Sequence, residues 1–145
     1  MTVGTYTLLI ELESPTTIEV GALGTFDFED GWFAYTGTAF GPGGFSRIDR
    51  HRDVATGRNE TRHWHVDYLL GNDRARLVGT CRTPNVDAEC RFSDRLPGTR
   101  VPGFGASDCA CDSHLVFDRC RDDLLAALET IHDRCSFDGD PIGTA

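Results

Sequence analysis

Residues 31–51 read GWFAYTGTAFGPGGFSRIDRH, and the change of pattern inside this stretch decides the fold. Its first nine residues are mostly aromatic, β-branched or small, which suits a pleated strand over 31–39. Gly41-Pro42-Gly43-Gly44 then breaks the chain, because glycine leaves the backbone free and proline removes a donor. From there the spacing predicts a helix over 45–55, with Arg47 and His51 four residues apart and so stacked on one face.

Working outward, residues 5–13 alternate and place Tyr6, Leu8, Ile10 and Leu12 on one side of a strand. Ser14-Pro15-Thr16 is a turn, 17–22 a returning second strand, and 24–31 a polar connection spotted with aromatics. Downstream, 57–62 is a charged loop, 64–70 a short apolar helical turn, 74–82 a strand and 86–96 a second helix. Residues 97–112, with three Gly and two Pro, read as a loop, and 113–117 as a short strand. The last helix, over about 119–134, is the clearest: Asp118 can cap it, Asp122 and Asp123 suit its first turn, and Leu124, Leu125, Leu128 and Ile131 form an apolar stripe. The final ten residues read as frayed. The expectation is one α+β domain over 1–145, with a small, mainly antiparallel sheet flanked by helices and an inserted hairpin before the 31–39 strand.

Charge sets a second constraint. Twenty-three acidic residues face fourteen arginines and no lysine, for a net charge of −9. Such a chain repels nucleic acid at low salt. At molar salt the Debye length shrinks to about 3 Å and that objection weakens. An acidic, lysine-free composition resembles that of cytoplasmic proteins of haloarchaea. Residues 47–62 run against the trend: Arg47, Arg50, Arg52, Arg58 and Arg62 outnumber Asp49, Asp53 and Glu60, which suggests one anion-facing surface. No apolar run approaches the roughly 18 residues of a membrane span, and the N-terminus alternates like a strand rather than reading as a signal peptide. A cytoplasmic location is expected, and with it reduced or metal-bound thiols for Cys81, Cys90, Cys109, Cys111, Cys120 and Cys135.

Gly4-Thr5-Tyr6 on the first strand and Tyr35-Thr36-Gly37 on the 31–39 strand each set a tyrosine two residues from a glycine, hence on one strand face. If the strands are neighbours, two phenols converge; alone, tyrosine in a strand is commonplace. Arg47, His51 and a later carboxylate, Glu89, complete a set suited to cleaving a phosphodiester. In this order, GTY, YTG, Arg47, His51 and Glu89 resemble the GIY-YIG nuclease superfamily. RIDRH (47–51), HWHVDYLL (63–70), EC (89–90), GFGASDC (103–109) and CDSHL (111–115) resemble its archaeal Uri-type branch, sometimes fused to a DNA-repair glycosylase. The likeness covers roughly residues 4–117.

The resemblance implies a Mg²⁺- or Mn²⁺-dependent endonuclease acting on DNA in repair or processing, with RNA left open and a repair glycosylase as a partner. Glu89 would hold the metal, Arg47 would grip phosphate, Tyr6 would be the general base, and Tyr35 would position water or phosphate. An ordinary phenol is about a thousandth ionised at pH 7, so Arg47 and the metal are expected to lower Tyr6, or His51 to share its proton. Arg50, Arg52, Arg58 and Arg62 would contact the nucleic acid. Two departures stand out: an insertion between the tyrosine signatures, and no identifiable late Asn, for which Ser107 or Asp108 are the substitutes at hand.

His63, His65 and Asp67 would share a face in an extended chain, as in a metal site, but scatter on a helix; His65 is then a candidate catalytic residue at the Tyr6 site, or with Asp67 orients Tyr6 or the Arg47 helix. Cys90, Cys109, Cys111 and His114 could hold Zn²⁺ or an iron–sulfur cluster, or be buried thiols. Glu89 and Cys90 point about 100° apart on a helix, so such a cluster would be separate from the Glu89 site. The competing functions are a non-catalytic nucleic-acid-binding module and a cysteine-based metal or redox sensor.

Overall fold

The computed structural model describes residues 3–40, 43–60, 62, 65–101, 104 and 113–137. Its centre is β1 (Gly4–Leu12), which pairs antiparallel with β4 (Gly31–Thr38) on one side and β5 (Ala75–Pro84) on the other. With β6 (Thr99–Arg100), β7 (Leu115–Asp118) and β8 (Arg134–Phe137) they form one six-stranded sheet in the order β6-β7-β4-β1-β5-β8. Every pairing in it is antiparallel. The α+β architecture expected from the sequence is the one observed.

Being central, β1 is buried on both faces. Tyr6, Leu8, Ile10 and Leu12 face one core with Phe33, Tyr35, Ile48, Leu69 and Phe104, under α1 (Ser46–Ala55) and α2 (His65–Leu70). Leu9 faces a second core with Ala34, Val78, Val116, Leu124 and Leu128, under α4 (Arg121–Ile131). The short α3 (Glu89–Asp94) packs on β4, and its entry is tied to β1: Thr5 Oγ1 donates to the Val86 carbonyl at 2.5 Å and accepts from the Ala88 amide at 3.1 Å.

Three expectations need correction. The stretch 17–22 does not return along β1. Instead β2 (Thr16–Glu19) pairs with β3 (Thr25–Phe28), inside what reads as a connection, as a separate hairpin. The reason is the two-residue period of Thr25-Phe26-Asp27-Phe28, which turns both phenylalanines toward Phe104. Ser136 and Phe137, expected to fray with the final ten residues, belong to β8, and the ring of Phe137 lies where a Cβ on Gly79 would stand; the other eight lie outside the described residues. Finally, Cys81 and Cys135 are neither reduced thiols nor metal ligands. They sit directly opposite each other on β5 and β8, Cα atoms 4.0 Å apart, and form a disulfide. Cys120 is exposed. Among the described residues no helix is long and apolar enough to cross a membrane.

Candidate functional site

The β1–β4 register sets Tyr6 opposite Gly37 and Leu8 opposite Tyr35, so the two tyrosines are diagonal neighbours on one sheet face. Gly37 makes room for both. A Cβ there would come within 2.7 Å of the Tyr6 hydroxyl and 3.2 Å of the Tyr35 ring. Both side chains are buried, at 1% and 7% exposure.

Helix α1 lies over this face. His51, also buried, is hydrogen-bonded through Nε2 to the Tyr6 hydroxyl at 2.8 Å, and its ring meets that of Tyr35 edge-on at 6.3 Å. One turn earlier, Arg47 donates to the Thr38 carbonyl at 2.8 Å, at the end of β4. Helix α2 adds Asp67, a carboxylate with no exposed surface. Arg50 grips it with both terminal nitrogens at 3.1 Å, and His51 Nδ1 lies 3.9 Å from Asp67 Oδ1. Arg50, expected among the phosphate contacts, is therefore engaged in holding a buried carboxylate. The HVDYLL segment is helical, so His65 and Asp67 diverge; His65 packs edge-on against Phe104, which in turn meets Tyr35.

Burial dominates the electrostatics. It pushes the Tyr6 phenol well above its ordinary value, with Tyr35, Glu89 and Asp67 adding to the rise and Arg47 opposing it. Tyr35 is raised for the same reason, then by Glu89 and Asp67. Arg47 acts on Tyr6 in the expected direction, but desolvation outweighs one guanidinium. His51 is lowered to about 4, by burial first, against the pull of Asp67 and with help from Arg50 and Arg47. Both members of the Tyr6–His51 pair are thus neutral at pH 7.

Glu89 opens α3 with its side chain 25% exposed, and its charge is felt by both phenols. One carboxylate beside two phenols fits a hard dication that keeps most of its water. Among the described residues no three His, Cys, Asp or Glu side chains converge as a metal site, so a zinc-type cage has no support there. Cys90 and Glu89 both approach one imidazole. His114, whose carbonyl accepts from Thr36, lies between them, with Nδ1 3.8 Å from Glu89 and Nε2 3.5 Å from the Cys90 sulfur. The two side chains meet opposite nitrogens of one imidazole, which does not bring them to a common ion. Cys109, Cys111, Ser107, Asp108 and His63 lie outside the described residues.

The remaining arginines split. Arg52 reaches the Thr80 hydroxyl at 3.5 Å and, with Arg58, Arg76, Asp49 and Asp53, lines a groove of about 530 Å³ between α1 and β5. Arg62 lies against Gly71. Sequence reasoning passed over Arg82. Its position opposite Tyr6 on β5 puts it on the same face, and its guanidinium sits 5.1 Å from the Phe45 ring centroid. It also passed over Gly37 as a spacer. Asp67, weighed as a group orienting Tyr6 or the Arg47 helix, is held by Arg50 of that helix.

The model of one protein family, described as domain of unknown function DUF123, matches residues 5–137. No curated protein and no solved structure matches the chain.

Proposed function

We propose, from the premise that the chain belongs to the DUF123 family, that it is a GIY-YIG-type endonuclease hydrolysing phosphodiester bonds in DNA with Mg²⁺ or Mn²⁺. The observation that carries the reading is the buried Tyr6–His51 hydrogen bond with Tyr35 and Arg47 on the same face and Glu89 within electrostatic reach. A neutral phenol is a poor base, but one bonded to a neutral imidazole has an acceptor for its proton. Tyr6 passes its proton to His51 Nε2 and takes one from the attacking water. The water oxygen bonds to phosphorus as the bond to the leaving alkoxide breaks. Arg47 holds phosphate oxygens and Tyr35 orients the water or phosphate. Glu89 would hold the dication, which when bound neutralises charge on the phosphate and eases departure of the alkoxide.

The acidic, lysine-free composition supports work at molar salt in a haloarchaeal cytoplasm, whereas the Cys81–Cys135 disulfide is unusual for a reducing compartment. Repair or processing, alongside a repair glycosylase, is the setting the family likeness suggests. One observation favours a second reading, a nucleic-acid-binding module that does not cut: both phenols are deeply buried and held neutral. A nicking screen at molar KCl with Mg²⁺ and Mn²⁺, over duplex, flapped, damaged and single-stranded DNA, separates the two. Metal-dependent nicking that disappears in Tyr6→Phe and Glu89→Gln supports the nuclease. Binding without cutting on every substrate installs the second reading. Stoichiometric zinc or iron by elemental analysis, lost in Cys109→Ser, would add a cysteine site to either.

A further inference from the structure

We propose that Asp67, clamped by Arg50, is a positioning residue that fixes the tautomer of His51 so that its Nε2 faces Tyr6 as a proton acceptor. The activity it serves is the nuclease reading above, but the placement is a property of the folded protein alone.

The Tyr6–His51 contact of 2.8 Å allows two neutral arrangements. In one, Nδ1 carries the ring proton and the phenol donates to Nε2. In the other, Nε2 donates to the phenol oxygen, and His51 has no lone pair with which to take the Tyr6 proton. Only the first can generate a phenolate. The groups facing the imidazole decide between them. Tyr6 from β1 and Tyr35 from β4 are neutral and indifferent to the choice. Arg47 and Arg50 come from α1 itself, and from α2 comes Asp67, with Oδ1 3.9 Å from Nδ1. A carboxylate facing Nδ1 attracts an N–H there and repels a lone pair, so it selects the first arrangement.

Asp67 is well built for that task. It has no exposed surface, so water screens it little. Its two oxygens each accept from a different terminal nitrogen of Arg50 at 3.1 Å, a planar fork that fixes the carboxylate plane and offsets part of its desolvation. Arg50 and His51 are consecutive on α1, so the arginine that holds Asp67 and the imidazole that Asp67 faces sit on one helix. After the phenol proton arrives at Nε2, the same carboxylate stabilises the imidazolium, as in other carboxylate–histidine pairs.

The test reads the His51 ring nitrogens by ¹⁵N NMR, with the signal assigned from a His51→Gln variant. The wild type is expected to show protonated Nδ1 and bare Nε2. In Asp67→Asn the amide oxygen stays on Arg50 and the amide N–H₂ turns to His51, so the proton moves to Nε2. Tyr6→Phe leaves Asp67 untouched and should leave the proton on Nδ1. A wild type with its proton on Nε2, an Asp67→Asn protein with an unchanged tautomer, or a Tyr6→Phe protein that flips would each overturn the proposal. Should Asp67→Asn fail to fold, the wild-type and Tyr6→Phe spectra decide. In cleavage assays Asp67→Asn should lower turnover by roughly 10²- to 10⁴-fold with DNA affinity retained. If the wild type cuts nothing, the nuclease reading fails and the tautomer result still stands or falls alone.

Discussion

Two histidines are buried on opposite faces of the same sheet, and they differ in what faces their second nitrogen. His132, at the end of α4, receives or gives a hydrogen bond at each ring nitrogen to a threonine: Thr7 at 2.7 Å on Nε2 and Thr83 at 3.1 Å on Nδ1. Thr7 bonds onward to Thr36 at 2.9 Å, and Phe92 meets the ring edge-on. His51 has a phenol on one nitrogen and an arginine-clamped carboxylate facing the other. Burial lowers both rings to about 4. A buried histidine with a shifted titration is therefore no sign of function. The His132 network is a chain of hydroxyls that rotate to suit, and it serves packing. Around His51 the fold places a partly buried ion pair, with the carboxylate desolvated and the guanidinium near the surface, and sets Arg47 and Glu89 nearby.

The largest effect expected is on catalysis and on one face only. His51→Gln should lower Mg²⁺-dependent nicking by roughly 10²- to 10⁴-fold, the usual worth of a general acid–base group. His132→Gln should keep the rate per folded molecule within a few-fold. Equal losses in single-turnover assays would erase the contrast between the faces.

On stability the order reverses. The Cys81–Cys135 disulfide belongs to the α4 face, where Cys81 packs with Leu9 and Val78, and it spans 54 residues of chain. Cys135→Ser or reduction should cost about 2–4 kcal/mol in chemical unfolding and raise amide exchange in β8, with nicking unchanged. A loss of nicking in the folded variant would mean that the two faces are coupled.

Acid should then treat the two histidines alike. Each has a folded value near 4 against about 6.5 unfolded, so the unfolded chain binds protons first. The stability that these neutral rings contribute is complete above pH 6.5 and is lost as pH falls toward 4. The slope is at most about 1.4 kcal/mol per pH unit for each. Unfolding midpoints across that window should lose steepness in His51→Gln and again in His132→Gln. A slope unchanged in either variant would remove that histidine from the account.

How much of this was legible in the sequence follows from the range of the interactions. β1, β4 and α1 are written locally, in the alternation Tyr6-Leu8-Ile10-Leu12, in GWFAYTGTA and in the glycine break before Arg47. Since β1 and β4 pair, the approach of Tyr6, Tyr35 and His51 follows from local pattern plus one register. The Asp67–Arg50 pair is not local: the helix over 64–70 was legible, but how α2 sits against α1 is not written in either segment. β3 and β8 were missed because four-residue strands draw their order from partners. The disulfide was missed because Cys81 and Cys135 are neighbours only through that same pairing of β5 with β8.

The smallest effect concerns the arginines, and it tests whether the basic stretch at 47–62 has a use. Arg58 shares the α1–β5 groove with Arg52, on the side of the sheet that carries Tyr6. Arg121 belongs to α4 on the other side, 5.9 Å from the centroid of the Trp32 ring. If DNA lies along the phenol face, Arg58→Ala removes about one phosphate contact. Affinity then falls roughly two- to five-fold, and the slope of log affinity against log salt drops by about one. Arg121→Ala should alter neither quantity. The measurement belongs near 0.2 M salt, where an acidic protein binds weakly but a single contact is not yet screened away. Matching losses from the two variants would show that DNA attraction is spread over the whole surface, and the basic stretch at 47–62 would lose its special standing.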